Sequence, residues 1–380
     1  MRLYRLPPVG HRIRLERSAA SEAIFARAFG EWSPHFYGSG TAALAAAVGA
    51  ARSGVEEAEV LVPAYGCPDL VSAVVYAGAR PVLIDLAPGR PWLDLDALQA
   101  RLGPRTAAVV GVDLLGIPER GRLLRERLAG SGVVLIQDSA QAFPGPGEAP
   151  WWGDLVVLSF GRGKPVSVLG GGAVLSRDPR LAARLPGARG GQAGGRRARA
   201  LHAARVLAYN RLLSPWVYWL PQAMPFLHLG ETRYEVLEAI TAMDPGRLAL
   251  LAANVEAYWA RPRRVQEAIA GMLAEGRRDG RVDLAAQACG ASPPRLLRYP
   301  LLVPPARRGP LLDRLTRAGL GASSMYPAPL PEIPGLERLL SGQGPFPEAA
   351  AFSAGLITLP THEGVSGAAL ARMAEILATA

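Results

Sequence analysis

Six short apolar runs, bounded by turn residues and with helix-like stretches between them, constrain the fold more than any other feature of this sequence. The runs cover residues 59–64, 80–86, 107–112, 133–138, 155–160 and 172–176. They lack a polar-apolar alternation, so both faces of each strand are expected to be buried. The Ala-rich stretch 41–54 and the stretches 68–78 and 117–132 are typical of helices. Together these patterns predict an α/β fold with a mostly parallel sheet sandwiched by helices.

The texture of the sequence changes beyond about residue 250. A long helix-like run, 248–273, is followed by an apolar stretch, a turn-rich region and a final helix at 367–379. This pattern predicts a smaller α+β domain over residues 251–380, after a large domain over residues 1–250. In open parallel sheets, ligands bind at the carboxyl ends of the strands. We therefore look for a site in the large domain, where polar residues follow the predicted strands.

Composition limits the classes of partner. The 380 residues carry a formal charge of +10, which suits nucleic acid, an anionic membrane surface or phosphorylated small molecules. No nucleic-acid-binding module and no interleaving of basic and aromatic residues is recognisable, so we expect no nucleic-acid partner. The two cysteines, Cys67 and Cys289, are too few and too far apart for a disulfide framework or a CxxC metal site. A reducing, cytoplasmic compartment and no metal site are the expectation.

Two segments bear on targeting and membranes. Residues 1–18 contain arginines but no continuous apolar stretch, so we expect no secretory signal. Segment 206–230 is the most apolar later part of the chain, but Arg211 and three prolines interrupt it, which disfavours a transmembrane helix. We expect a buried connector between helices there. Peripheral contact of Trp216 and its neighbours with a membrane is the alternative.

A glycine turn leads into the first strong helix signal. Gly40 and Thr41, in "FYGSGTAAL", come where the chain enters the Ala-rich stretch. The N-terminus of a helix presents free N–H groups and the positive end of the helix dipole, which together suit a phosphate. An ordinary helix cap is the alternative interpretation of this stretch.

A second motif places a carboxylate at the end of a strand that should be buried. In "VVLIQDSAQAF", Asp138 ends the apolar run and Gln141 follows three residues later. A buried carboxylate requires a partner, and a protonated ring nitrogen of a heterocyclic cofactor is one candidate. The other candidate is the backbone of the next turn, which the aspartate would cap. Gln141 can hydrogen-bond an oxygen but has no acid-base function.

The third motif, "SFGRGKPVSVLGGG", contains Ser159 and Lys164, the only lysine among 42 lysine and arginine residues. The guanidinium of arginine stays protonated and does not serve as an imine-forming nucleophile. A lysine can lose its proton when it is desolvated or lies near other positive charge, and can then attack an aldehyde. Lys164 is therefore a candidate nucleophile, with a surface lysine as the alternative.

The order of these motifs resembles that of the DegT/StrS-type sugar aminotransferases, which use pyridoxal 5′-phosphate and have the fold called type I. The resemblance covers most of the chain and includes a closing segment near its end. The matching stretches are 38–44, 62–86, 137–143, 159–164, 171–176 and 346–366. Several motifs in the same order are far more specific than any one of them.

The resemblance implies a role for each residue of the three motifs. Lys164 would be the lysine that forms the Schiff base, Asp138 would hold the pyridine nitrogen, and Gln141 would contact the ring hydroxyl oxygen. Cys67 stands where family members often carry an aromatic residue that stacks on the ring. Tyr65, two positions earlier, is the alternative for that role.

For the cofactor phosphate, the resemblance implies contacts from Gly40, Thr41 and Ser159. The sequence departs from the family at two nearby positions. Gly170 stands where an acidic residue is common, just before the Gly-Gly pair. Thr232 aligns with an asparagine that in many members reaches the phosphate of the neighbouring subunit.

The activity that the resemblance implies is transfer of an amino group from glutamate or glutamine to a keto sugar, nucleotide-linked, in polysaccharide or amino-sugar biosynthesis. A homodimer is implied as well. Dehydratase relatives typically have histidine in place of the lysine, so Lys164 favours transamination. The alternative from another class is a non-catalytic scaffold that binds the cofactor or a sugar at a membrane-associated polysaccharide assembly.

Overall fold

The centre of the molecule is a seven-stranded β-sheet. We describe it from a computed structural model, for residues 4–18, 21–148, 151–188, 195–222, 231–275, 280–290 and 293–379. The strands are β1 Ser33–Tyr37, β2 Glu59–Pro63, β3 Arg80–Ile84, β4 Thr106–Val112, β5 Val134–Asp138, β6 Leu155–Ser159 and β7 Gly172–Ser176. Their spatial order is β1-β7-β6-β5-β4-β2-β3, with β2 to β6 parallel and β7 antiparallel to both of its neighbours. The mostly parallel sheet predicted from the apolar runs is confirmed.

Strand β1 is the one strand of this sheet that the sequence did not predict. Its residues, "SPHFY", lie at the edge of the sheet and are mostly half-buried. A proline near the start of a strand is tolerated at an edge, where its missing N–H leaves no gap in the ladder. Neither a continuous apolar run nor a clean alternation marks such a strand, so its pairing with β7 becomes visible only in the structure.

Helices cover both faces of the sheet. The helices of this part are α1 Ser21–Phe29, α2 Gly40–Ala51, α3 Asp69–Tyr76, α4 Leu95–Arg101, α5 Gly121–Leu128, α6 Pro179–Arg184, α7 Arg196–Leu212, α8 Trp219–Gln222 and α9 Pro245–Ala260. Alternate side chains of β2 show the two layers: Val60 and Val62 pack in the cluster of α2 and α3, and Leu61 packs with Leu98 of α4 and Leu124 of α5. Burial on both faces accounts for the continuous apolar runs.

The C-terminal part contains a three-stranded antiparallel sheet with helices. Its elements are α10 Arg264–Glu275, β8 Val282–Asp283, α11 Leu284–Cys289, β9 Arg298–Leu302, α12 Pro305–Arg317, α13 Pro347–Gly355, β10 Leu356–Pro360 and α14 Gly367–Ala378. The run 248–273 forms two helices, because the chain leaves helical geometry at Arg261 and Pro262 follows. The division of the chain at residue 250 stays a prediction, and α9 runs across that residue.

Segment 206–222 is not the buried connector that its apolar composition predicts. Val206 is the only fully buried residue of α7, and the Trp216 side chain is 65% exposed. The remainder of the predicted connector, residues 223–230, lies outside the described part of the chain. Over the described residues, no helix combines the length and hydropathy that crossing a bilayer requires.

A buried acidic residue organises the segment that follows β5. The Asp113 carboxylate, 3% exposed, accepts hydrogen bonds from Gln137 Nε2 at 2.9 Å, from the Ser139 hydroxyl and from the N–H of Glu119 at 2.9 Å. The N–H of Asp113 also donates to the carbonyl of Asp138 at 2.9 Å. Burial raises the pKa of Asp113 to about 6, although its hydrogen bonds oppose the shift. Asp113 thereby fixes both residues that flank Asp138.

The raised pKa predicts how stability depends on pH. Because folding moves the pKa of Asp113 from its ordinary value of 3.8 to about 6, the folded protein binds more protons than the unfolded chain between these pH values. The stabilising contribution is therefore complete below about pH 4 and is lost as the pH rises through 6. The free energy of unfolding of the wild type, minus that of Asp113→Asn, should fall by about 2–3 kcal/mol between pH 4 and pH 7.

Urea unfolding of both proteins across this pH range measures the difference. The variant Glu119→Gln should give a difference of the same sign, because burial raises the pKa of Glu119 to about 7. A difference between wild type and Asp113→Asn that stays constant with pH would contradict the assignment.

Candidate active site

A cavity of about 230 Å³ lies at the carboxyl edge of the parallel strands. The last residue of β4 and the chain segments after β2, β5 and β6 contribute to its wall, as do the first turn of α2 and the turn before β7. The structure brings all seven site residues predicted from the sequence to this one cavity. They are Gly40, Thr41, Cys67, Asp138, Gln141, Ser159 and Lys164.

The first turn of α2 forms one end of the cavity. Ser39 caps the helix, and its Oγ accepts a hydrogen bond from the N–H of Ala42 at 3.0 Å. A Cβ on Gly40 would lie 2.6 Å from the Cβ of Ser159, so only glycine allows the helix to approach the end of β6 this closely. The approach places the N-terminal N–H groups of α2 beside Thr41 and Ser159, an arrangement suited to a phosphate.

Asp138 lies at the end of β5 with its carboxylate against the cavity. One of its oxygens, Oδ1, accepts a hydrogen bond from the N–H of Ala140 at 2.9 Å. Burial raises the pKa of Asp138, while the bond from Ala140 and the charge of Lys164 oppose the shift. A cationic group bound in the cavity would favour the ionised carboxylate in the same way.

Two hydrogen bonds fix the side chain of Gln141. Its Oε1 accepts from the N–H of Leu115 at 3.0 Å, and its Nε2 donates to the hydroxyl of Tyr326 at 3.0 Å. Leu115 adopts a left-handed conformation with φ 61°, and its carbonyl accepts from Leu297 at 2.9 Å. These contacts leave the second N–H of the Gln141 amide for a ligand oxygen.

Cys67, and not Tyr65, faces the cavity. The Tyr65 ring is 1% exposed, packs edge-on against Tyr326 and Phe352, and donates its hydroxyl to the Tyr326 carbonyl at 3.1 Å. Burial raises the pKa of the Cys67 thiol to about 12, with a further contribution from Asp69. The thiol is therefore neutral at physiological pH and offers an apolar, polarizable surface to a ligand ring.

Lys164 lies in the loop that connects β6 to β7. The backbone N–H of Lys164 donates to the Gly161 carbonyl at 3.3 Å. The carbonyl of the following residue, Pro165, accepts a hydrogen bond from the Arg261 guanidinium at 3.1 Å. The side chain is half-buried, and Lys164 is the only basic residue among the described residues that line the cavity. Burial raises the pKa of both Asp138 and Cys67, and the charge of Lys164 opposes the rise in each. Lys164 and Asp138 therefore act on one another across the cavity.

Sequence reasoning missed two residues of this site. Asp69, at the start of α3, accepts a hydrogen bond from Thr41 Oγ1 at 3.0 Å and lines the cavity. Its position just after β2, at the carboxyl edge of the sheet, was a usable signal. Tyr326 comes from the C-terminal part of the chain, and no local pattern connects it with Gln141. Thr232, which aligns with a residue that reaches the phosphate of the neighbouring subunit, does not line this cavity of its own chain, and its role across a subunit interface stays a prediction.

The arrangement suits a heterocyclic aldehyde that carries a phosphate. Its lining includes the first turn of α2 and hydroxyls, which suit a phosphate, and a buried carboxylate, which suits a protonated ring nitrogen. An amine, a neutral thiol and an amide line the same cavity. The groups that pyridoxal phosphate requires are thus present in one cavity.

Known enzymes share part of this sequence. The chain is 33% identical over 173 residues to L-glutamine:2-deoxy-scyllo-inosose aminotransferase of Streptomyces kanamyceticus, covering 44% of this chain and 40% of that enzyme. It is also 33% identical over 156 residues to UDP-N-acetyl-3-dehydro-alpha-D-glucosamine 3-aminotransferase of Acidithiobacillus ferrooxidans, covering 40% and 42% of the two chains. The matches thus span about two fifths of the length of these relatives.

The fold is shared over the whole chain. The aminotransferase TlmJ from Streptoalloteichus hindustanus superposes with a TM-score of 0.69 at 23% identity, covering 100% of this chain and 98% of that one. This likeness supports the α/β architecture, with its mostly parallel sheet and flanking helices. Residues 17–210, just over half of the sequence, match the model of the DegT/DnrJ/EryC1/StrS aminotransferase family, and the chain belongs to that family.

Proposed function

We propose that the protein is a pyridoxal phosphate-dependent aminotransferase that moves the amino group of glutamate or glutamine to a keto sugar carried on a nucleotide. The observation that carries this proposal is the meeting of Lys164, Asp138 and the α2 turn at Gly40 in one cavity. Lysine supplies a nucleophilic amine, the carboxylate a counter-ion, and the turn a phosphate site. Arginine at position 164 would not serve, because its guanidinium stays protonated.

The residues of the cavity would divide the binding of the cofactor among them. Gly40, Thr41 and Ser159 would hold the phosphate, and Asp138 would keep the ring nitrogen protonated. Gln141 would donate its free amide N–H to the ring oxygen, with the neutral Cys67 thiol against a ring face. When bound, the cofactor withdraws electrons from the α-carbon of the amino donor, which makes that carbon acidic.

Lys164 would act as the acid-base group of the reaction. Its Nζ would take up the proton that leaves the α-carbon of the amino donor and would give a proton to the carbon of the keto sugar that receives the amino group. The half-buried position of Lys164 restricts water, and the bonds from the Lys164 N–H to Gly161 and from Arg261 to Pro165 limit how far this part of the loop can move. These conditions favour proton transfer over exchange with solvent.

The names of the relatives support the class of substrate. One is named for L-glutamine and an inosose, and the other for a UDP-linked dehydro sugar. From these names we infer that the acceptor is a keto sugar and the donor an amino acid. We place the reaction in polysaccharide or amino-sugar biosynthesis in the cytoplasm. A homodimer is part of the proposal, and the exposed Leu201, Leu207 and Trp216 offer apolar surface for a second copy.

Substitution of Lys164 tests this function directly. The wild-type protein with pyridoxal phosphate should show the visible absorption band of lysine-bound cofactor, and addition of L-glutamate should convert it to the amine form. Lys164→Ala and Lys164→Arg should lose the band and at least about 10²–10⁴-fold of the conversion rate, because neither offers a neutral amine. Absorption spectroscopy with and without L-glutamate measures both effects.

Arg162→Ala is the matched control, since it removes an exposed cation two residues away in the same loop. It should keep both the band and the conversion. A band and turnover retained in Lys164→Arg would contradict the role of Lys164. A wild-type spectrum that no amino donor changes would favour a non-catalytic scaffold.

Asp138→Asn should weaken cofactor binding about 10- to 100-fold, because the ring nitrogen would lose a charged hydrogen-bond partner. The amide keeps the size of the carboxylate and an oxygen for the N–H of Ala140. Equilibrium dialysis with pyridoxal phosphate gives the dissociation constants. Glu59→Gln changes another buried carboxylate, at the start of β2 and away from the cavity, and should leave the binding constant within about threefold. Equal losses in both variants would remove Asp138 from the cofactor site.

Tyr326→Phe should weaken cofactor binding about 2- to 10-fold and shift the pH midpoint of the visible band. The variant removes the hydroxyl that orients the Gln141 amide, so the amide no longer presents its free N–H to the ring oxygen. The double variant with Gln141→Ala should lose no more affinity than Gln141→Ala alone, because both changes remove one contact. Additive losses would show that Tyr326 acts independently of Gln141. Tyr299→Phe is the control, because it removes a tyrosine hydroxyl of the C-terminal part that bonds Asp283 and not Gln141.

A further inference from the structure

Gly170 lines the cavity together with the α2 turn, and the guanidinium of Arg247 occupies the space that a side chain at position 170 would fill. A Cβ on Gly170 would lie 2.2 Å from Nη1 and 2.9 Å from Cζ of Arg247. Gly170 itself has φ +146° and lines the cavity together with Ser39 and Gly40. Because residue 170 has no side chain, nothing of its own separates the guanidinium from the cavity.

The segment that carries Arg247 covers the α2 turn from outside. The N–H of Gly38 donates to the Thr241 carbonyl at 2.7 Å, and Met243 packs directly against Gly171. Gly171 forms a bridge with Ser39, the residue that caps α2. The glycines before β7 therefore contact both the α2 turn and the 241–247 segment, and the Arg247 guanidinium lies against Gly170, a residue of the cavity wall.

The charge of Arg247 has no partner in the described part of the chain. No carboxylate lies within ion-pair distance of its guanidinium there, and no hydrogen bond from the guanidinium is formed. Asp244, which begins α9, uses Oδ1 to accept from the backbone N–H of Arg247 at 3.0 Å. Arg247 is half-buried, and its charge contributes to the lowered pKa of His202, after burial itself. A partly desolvated cation of this kind favours an anionic ligand.

The charge balance of the cavity gives a reason for a second cation. Its described lining residues include two carboxylates, Asp69 and Asp138, and one basic residue, Lys164. Lys164 is assigned to the cofactor aldehyde, and Asp69 lies 3.0 Å from the hydroxyl of Thr41, which would contact the phosphate. A phosphate beside Asp69 would experience like-charge repulsion. The N-terminus of α2 alone offsets this by a modest amount.

We propose that Arg247 binds the phosphate monoester of the cofactor across Gly170, from the same chain that supplies Lys164. The guanidinium presents several N–H donors in a planar fork, which matches two oxygens of a phosphate. The inference rests on the proposed function, because it assigns the ligand of that same cavity. It gives Gly170 a purpose: a side chain at this position would stand between the guanidinium and the phosphate.

Comparison of pyridoxal phosphate with pyridoxal isolates the phosphate contact. Both ligands carry the ring and the aldehyde, so both test Lys164 and Asp138, and only one carries a phosphate. In Arg247→Gln of the full-length protein, the dissociation constant for pyridoxal phosphate should rise about 10-fold or more, and that for pyridoxal should stay within about twofold. Arg247→Lys, which keeps the charge without the fork, should give an intermediate rise. Equilibrium dialysis of cofactor-free protein measures all of these constants.

Arg205→Gln is the matched control, since it removes an exposed arginine that does not touch Gly170. Like Arg247, Arg205 adds to the lowering of the His202 pKa that burial causes. It should leave both constants unchanged. Added inorganic phosphate should weaken pyridoxal phosphate binding in the wild type and less so in Arg247→Gln.

Three results would overturn the inference. Unchanged binding of pyridoxal phosphate in Arg247→Gln would remove Arg247 from the phosphate site and leave the proposed function standing. An equal loss for both ligands would show that Arg247 supports the structure of the cavity, again without harm to the proposed function. A wild-type protein that binds neither ligand would overturn the inference and the proposed function together.

Discussion

The first turn of α2 packs directly against the carboxyl end of β6 and the start of β7. This contact determines where the molecule can have a ligand-binding cavity. A Cβ on Gly40 would lie 2.6 Å from Ser159, and a Cβ on Gly172 would lie 2.5 Å from the Ser39 carbonyl oxygen. Both glycines are needed because two backbones meet there without space for a side chain. The contact aims the N-terminus of α2 at the point where five parallel strands end. Every other polar group of the cavity is arranged around that point.

Two buried aspartates at neighbouring strand ends show how surroundings separate structural from functional roles. Asp113 is surrounded by donors from Gln137, Ser139 and Glu119, so its hydrogen-bonding capacity is used within the protein. Asp138 accepts from Ala140 and otherwise faces the cavity. Burial raises the pKa of both carboxyl groups. The difference is that Asp138 accepts only this one bond and lines the cavity, whereas Asp113 accepts three and does not line it.

The C-terminal part of the chain is needed to complete the cavity of the large sheet. The Tyr326 hydroxyl and the Leu115 N–H hold Gln141 from two sides, and Leu115 is itself bonded to Leu297. Gly116 follows in a left-handed conformation, where a Cβ would lie 3.0 Å from the Arg295 carbonyl oxygen. The orientation of one amide thus depends on contacts between segments about 180 residues apart in sequence. Changes in the packing of the C-terminal part would be transmitted to the site through these bonds.

The sequence by itself determined the parallel sheet, because strands buried on both faces must be continuously apolar and need helices between them. It also singled out Lys164 as the candidate nucleophile, since Lys164 is the one lysine among 42 basic residues and a guanidinium does not form an imine. The apolar runs also placed Asp138 and Ser159 at the ends of strands. Because all parallel strands present their carboxyl ends at one edge of the sheet, these two residues were expected at that edge.

Only the tertiary structure decided which of Tyr65 and Cys67 faces the cavity. The two side chains lie two residues apart on a curving loop, where sequence spacing does not fix the direction of a side chain. It also decided the contacts of Asp69, Tyr326 and Arg247, which arise between segments distant in sequence. Periodicity reports which face of an element is buried, and it carries no information about what lies opposite that face. Edge strand β1 and the exposed Trp216 escaped prediction for the same reason: their surroundings, and not their composition, set their burial.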